Sequence, residues 1–208
     1  MFLKRFIVIC CLCIFGITPL SQAANPLETL KGPIEEVLRL LNEPLYHDAT
    51  LKQEQRDKIW QTIQTVFNFK EVSKRTLARN WKKFSPKEQN EFVDVFSEFL
   101  GNIYVDKIQG EFHNEKIAYL NQKIVKKTRA MVRTNILRES LEIPVDYKMK
   151  LFGGEWKIYD VNIEGVSLVK NYRIQFKKIL LKNSHQHLIE QIQKKLKKQK
   201  EKYAKGSK

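Results

Sequence analysis

Apolar residues recur at the three- and four-residue steps of a helix through the first half of the chain, and at alternate positions through most of the second. Between Pro26 and Leu41, Leu30, Ile34, Val37, Leu38 and Leu41 share one face, which predicts an amphipathic helix. The stretch NEPLYHDAT reads as a loop. A second helix is expected from Leu51 to Phe69, burying Ile59, Ile63, Val66 and Phe67. A short third element carries Val72, Leu77 and Trp81. SPKE is the clearest local signal: Ser85 caps, Pro86 takes the first helical position and Glu88 completes a capping box. The helix behind it bears Phe92, Phe96, Phe99, Leu100, Ile103 and Tyr104.

After Gly110 the period becomes two. Ile117 and Tyr119 open a strand, and Ala130, Val132, Thr134 and Ile136 line one side of the next. In IPVDYKMKL, Ile143, Val145, Tyr147, Met149 and Leu151 face one way, and Asp146, Lys148 and Lys150 the other. Gly153-Gly154 signals a hairpin into a last strand, WKIYDVNIEG. Past Gly165, helical spacing returns with Val166, Val169, Ile174 and Phe176, and then Leu181, Leu188, Ile192, Leu196 and Tyr203 at four- and seven-residue steps. The order predicts an α+β domain: an antiparallel sheet of about four strands, oily on one face, packed against several N-terminal helices and a C-terminal helix. The packed part is expected to run over residues 24–196, and residues 197–208 to form a lysine-rich flexible tail.

The two ends change the picture. Lys4 and Arg5 precede the apolar run FIVICCLCIFGITPL and the small residues of SQA, the layout of a cleaved secretory signal over residues 1–23. The run is shorter than the roughly 18–20 apolar residues of a spanning helix. All three cysteines fall inside it, so cleavage leaves a chain without disulfides or cysteine chemistry, stabilised by its apolar core. Removing Lys4 and Arg5 from the net charge of +15 leaves +13, and residues 177–208 alone contribute eleven lysines against Glu190 and Glu201. In an exported protein such basicity points to anionic lipid or an acidic partner, not to nucleic acid.

Candidate chemistry is sparse. Asp160 and Glu164, four residues apart on a strand, stand about 13 Å apart at ~3.3 Å per residue, wider than the roughly 5–9.5 Å between glycosidase carboxyls. His185 and His187 have only Glu190 nearby as a further metal ligand, and His47 and His113 have no nucleophile beside them. GxSxG, P-loop, GxGxxG and HExxH patterns are all missing from the sequence. The expectation is therefore no catalytic residues, no metal and no cofactor.

Two segments carry a resemblance. FNFKEVSKRTLARNWKKFSPKEQNEFVDVFSEFL and WKIYDVNIEGVSLVKNYRIQF, with its W-x-x-Y-D-x-x-x-E-G-V-S core, are continued by HLIEQIQKKL. Together they resemble the MlaC-type periplasmic phospholipid-binding proteins, the ABC-transporter auxiliary or toluene-tolerance family. The resemblance covers nearly the whole mature chain, and the lysine-rich end is less typical of it. It implies a monomeric shuttle in the periplasm of a Gram-negative bacterium. Its cargo would be glycerophospholipid, passed between an outer-membrane lipoprotein–porin complex and an inner-membrane ABC transporter with its substrate-binding subunit, which maintains outer-membrane lipid asymmetry. The acyl tails would lie in an apolar cavity between sheet and helices.

Physics sets the demand on such a cavity. Exposing an acyl chain to water costs about 0.8 kcal/mol per CH₂, or roughly 10 kcal/mol per tail. Candidate lining residues are Trp81, Phe96, Leu100 and Tyr104 from the helices, Val132, Val145, Tyr147, Met149, Tyr159 and Val161 from the sheet, and Val169 after the turn. Periodicity assigns an inward face to each and does not separate cavity lining from packed core. Three other readings use the same pattern: a carrier of another apolar molecule such as a hopanoid or quinone, an enzyme on a cone-shaped α+β scaffold, and a peripheral membrane-binding protein acting through its basic tail.

Overall fold

The computed structural model describes residues 25–139 and 141–206, and side chains as far as Glu201. The signal segment expected over residues 1–23 lies outside them. Helix α1 (Pro26–Asn42) starts on Asn25, whose Oδ1 accepts from the Leu27 N–H at 2.9 Å. Two 3₁₀ turns, Pro44–His47 and Ala49–Leu51, occupy the expected loop. Helix α2 (Lys52–Val66) ends at an extended junction, and the short third element divides into α3 (Phe69–Leu77) and a 3₁₀ turn, Ala78–Lys83. Helix α4 (Pro86–Glu111) opens with the capping box that SPKE predicts, closed by both Ser85 and Glu88.

Strands β1 (Lys116–Lys126), β2 (Arg129–Arg138), β3 (Leu141–Phe152), β4 (Glu155–Ile163) and β5 (Val166–Ser167) lie side by side in chain order, antiparallel throughout. The expected four strands thus gain a short fifth. Glu164 and Gly165 both take positive φ, 49° and 84°, so two residues suffice to reverse the chain into β5. Val166, expected on a helix, therefore pairs with Ile163 and is exposed.

Ser167 caps α5 (Leu168–Leu180), its Oγ accepting from the Lys170 N–H at 3.0 Å. The buried side of α5 is Val169, Tyr172 and Phe176; Ile174 points to solvent. After a turn at Leu181, α6 (His185–Gly206) runs beside α4 in the same direction, and the last buried side chain among its described ones is Leu196. The expected C-terminal helix is therefore a pair.

Three buried apolar groups hold these elements. One joins the sheet to α1 and the end of α2, one joins α3 to α6, and a small one of Leu40, Tyr46, Ile59 and Val105 joins α1, α2 and α4. Helices α2 and α4 touch closely. A Cβ on Gly101 would stand 2.9 Å from the Trp60 ring, and Arg56 pairs with Asp106 while donating to Asn102 Oδ1 at 2.8 Å.

Candidate functional site

The oily face of the sheet follows from strand parity, with one interruption. Val132 pairs with Tyr147, Tyr147 with Val161, and Met149 with Ile158, which sets these side chains on one face together with Ala130, Val145 and Trp156. A bulge on β4 opposite Lys148 and Met149 inserts one residue, so the inward positions pass from Trp156 and Ile158 to Val161. Tyr159 consequently lies on the opposite face, where the Arg75 guanidinium stacks 4.0 Å from its ring centroid. That departs from the expectation that Tyr159 and Val161 both face inward. Trp156 and Ile158 are the residues that alternation missed.

Leu30 of α1 and Val66 of α2 cover the centre of this face. Around them lies a half-buried apolar rim: Leu27 and Ile34 of α1, Ile136, Tyr147 and Leu151 of the sheet, and Phe67. Ile124, in register with Ala130, is exposed beyond the rim.

Polar groups on this face are few. Burial pushes the Tyr147 phenol above its ordinary range, and the Thr134 hydroxyl works against that shift. Burial first, then Glu35, Tyr147 and Glu28, push Tyr119 up to about 12. Both phenols stay neutral over the physiological range. The Gln122 amide, opposite Val132 on the same face, accepts from the Leu27 N–H at 3.0 Å, so the face presents hydrocarbon, aromatic rings and uncharged polar groups.

The helical candidates gather elsewhere. Trp81, Phe96, Leu100 and Val169 belong to the group between α3, α4, α5 and α6, where Phe96 stacks with Phe92 and meets Tyr172 and Phe176 edge-on. Tyr104 sits at its margin, hydrogen-bonded to Tyr172, and burial raises both phenols. Phe67 touches both apolar groups and joins them. Apart from Tyr159, the expected lining residues thus fall in two neighbouring apolar bodies. Tyr172, central to the second, falls at the helical steps 169, 172 and 176, which Ile174 masked in the sequence.

The other candidates for chemistry are structural. Asp160 accepts from Ser167 Oγ at 2.8 Å and from the Val169 N–H at 3.0 Å, and pairs with Lys148 at 2.9 Å. It ties β3, β4 and α5 together. Glu164 sits in the exposed turn after β4. His185 stacks on Phe84, and His187 contacts Gln191. Among the described residues no group of three or more metal-ligating side chains converges, and no helix is long and apolar enough to cross a membrane.

An antiparallel meander with one apolar face, covered by an N-terminal helix and flanked by helices α3 to α6, defines the α+β class of this protein. The model of the MlaC protein family matches residues 31–194, and the chain belongs to that family. Over 105 residues it is 27% identical to the toluene tolerance protein Ttg2D of Pseudomonas putida; the match spans 50% of this chain and 48% of that relative. The solved structure of a phospholipid-binding protein from Ralstonia solanacearum, in complex with a phospholipid, shares the fold. It superposes with a TM-score of 0.73 at 21% identity, over 85% of this chain and 99% of that one.

Proposed function

We propose that this protein is a periplasmic carrier of glycerophospholipid. The acyl tails lie against the oily face of the sheet, entering along the half-buried rim of Leu27, Ile34, Tyr147, Leu151 and Phe67. The observation that carries the reading is that rim: it borders a buried apolar face whose polar groups, the hydroxyls of Tyr119, Thr134 and Tyr147 and the Gln122 amide, carry no charge. Of the candidate residues, Val132, Val145, Tyr147, Met149 and Val161 lie on this face. Trp81, Phe96, Leu100, Tyr104 and Val169 form the adjoining helical wall, met through Phe67. Family membership and the phospholipid-bound structural relative support the cargo. The same membership supports a monomeric, non-enzymatic shuttle exported by a signal over residues 1–23. It exchanges lipid with an outer-membrane lipoprotein–porin complex and an inner-membrane ABC transporter, and so serves outer-membrane lipid asymmetry.

Native mass spectrometry of protein purified without detergent, with lipid extraction, tests the cargo. Stoichiometric glycerophospholipid is expected, and Tyr147→Asp should lose it while keeping a cooperative melt. A wild-type protein that is lipid-free and takes no lipid from vesicles overturns the reading, and a hopanoid or quinone in the extract replaces the cargo.

A further inference from the structure

The lysines are not all in the tail. The Phe84 ring stacks on His185 with centroids 4.2 Å apart, and His185 Nδ1 lies 3.7 Å from Glu88. This contact clamps the turn that leads into α4 against the turn between α5 and α6. Lys82, Lys83 and Lys87 flank it on one side, and Lys177, Lys178 and Lys182 on the other, all six exposed. No carboxylate occurs in residues 72–87 or 177–189. Of the carboxylates bordering these segments, Glu71 pairs with Arg75, Glu88 is held by Ser85 in the capping box, and Glu190 is exposed on α6. None of the six lysines forms an ion pair among the described residues. Next to Lys182 in the α5–α6 turn, Leu181 is 73% exposed.

We propose that this pole, at the N-terminal ends of α4 and α6, docks on the surface of an anionic phospholipid bilayer. The chemistry fits that partner in two ways. Lysines are compact, hydrated point charges suited to a diffuse sheet of phosphates, whereas an acidic protein is better matched by the planar fork of arginine. An exposed aliphatic side chain with lysines close by in the chain is the arrangement that enters the headgroup–acyl boundary while the charges remain among the headgroups. Docking goes beyond carriage of lipid. It rests on the pole's own geometry and would hold the protein at a membrane whatever fills its apolar face.

Cosedimentation of the purified protein with phosphatidylglycerol–phosphatidylethanolamine vesicles, against phosphatidylcholine vesicles, tests the pole. Binding is expected only to the anionic vesicles, and to fade in high salt. Each basic group near such a surface strengthens partitioning by roughly fivefold, so the double variant Lys82→Glu, Lys182→Glu should weaken it at least ~25-fold. Leu181→Asp should weaken it too, and Leu181→Trp should show blue-shifted emission on binding. Failure of the wild-type protein to bind, or unchanged binding by the double variant, overturns the proposal. So does binding that disappears only when residues 200–208 are removed, or capture by an acidic protein without capture by vesicles. Lipid co-purification by the double variant should equal wild type, so failure of the pole and failure of the carrier reading are separately visible.

Discussion

Asp160 shows how one side chain can set the local fold. Its two oxygens receive Ser167 Oγ, the Val169 N–H and Lys148 Nζ, so the bulge of β4, the turn into β5 and the first turn of α5 share one anchor. Asp160→Asn keeps the shape but removes the charge facing Lys148 and places a donor where acceptors are needed. The expected loss is about 2–4 kcal/mol, seen in a thermal melt as a Tm lower by roughly 5–15 °C; an unchanged Tm would show the anchor to be dispensable. Little of this was legible in the sequence. Asp160 drew notice there beside Glu164 and within the W-x-x-Y-D core, but not for its partners, because Ser167 and Val169 lie seven and nine residues on, across a turn that periodicity does not see. The same bulge hid Trp156 and Ile158: a single inserted residue shifts strand parity, and nothing in WKIYDVNIEG marks where.

At the scale of elements, the sequence reads well where the signal is local and poorly where two chain segments must meet. The capping box of α4 and the alternation of β3 are local, and the structure contains both. That the aromatic stripe of α4 faces α5 and α6, rather than the sheet, depends on contacts 70 to 100 residues apart. Helix α6 gives this a test. Leu188, Ile189, Ile192 and Leu196 fill the groove against α4, whereas beyond Gln199 the described contact is the exposed pair Lys200–Glu98 at 2.5 Å. Ending the chain after Gln199 should therefore change stability by no more than ~1 kcal/mol. Ile192→Ala should cost about 2–5 kcal/mol. Denaturant midpoints of the two variants decide it, and comparable losses in both would mean that the end of α6 carries packing of its own.

Across the whole molecule, buried tyrosines link stability to pH. Burial raises the phenols of Tyr104, Tyr119, Tyr147 and Tyr172 above their ordinary value of 10.0, with Tyr119 at about 12. A raised phenol favours the folded state while it is neutral, so this contribution is complete below pH 10 and is lost as pH rises through the folded values. Alkaline titration followed together by phenolate absorbance and circular dichroism should show these phenols ionising late, in step with unfolding. Titration of all the tyrosines near their ordinary value, with the fold intact, would contradict the burial on which this rests.

The edges of the sheet bear on how such a molecule survives with its oily face empty. On the β4 side, β5 pairs with Asn162 and Ile163, and the junction between α2 and α3 lays Phe67 beside Ile158, with the Asn68 N–H donating to the Ile158 carbonyl at 2.9 Å. That edge is sealed by the chain itself. The β1 edge carries exposed Lys116, Lys123 and Lys126, and its pairing is broken after Tyr119 and again after Ile124. Charge and irregularity make it a poor template for another strand. The sheet is then guarded at both edges against growing into an aggregate through another strand, a protection that does not depend on what covers its apolar face.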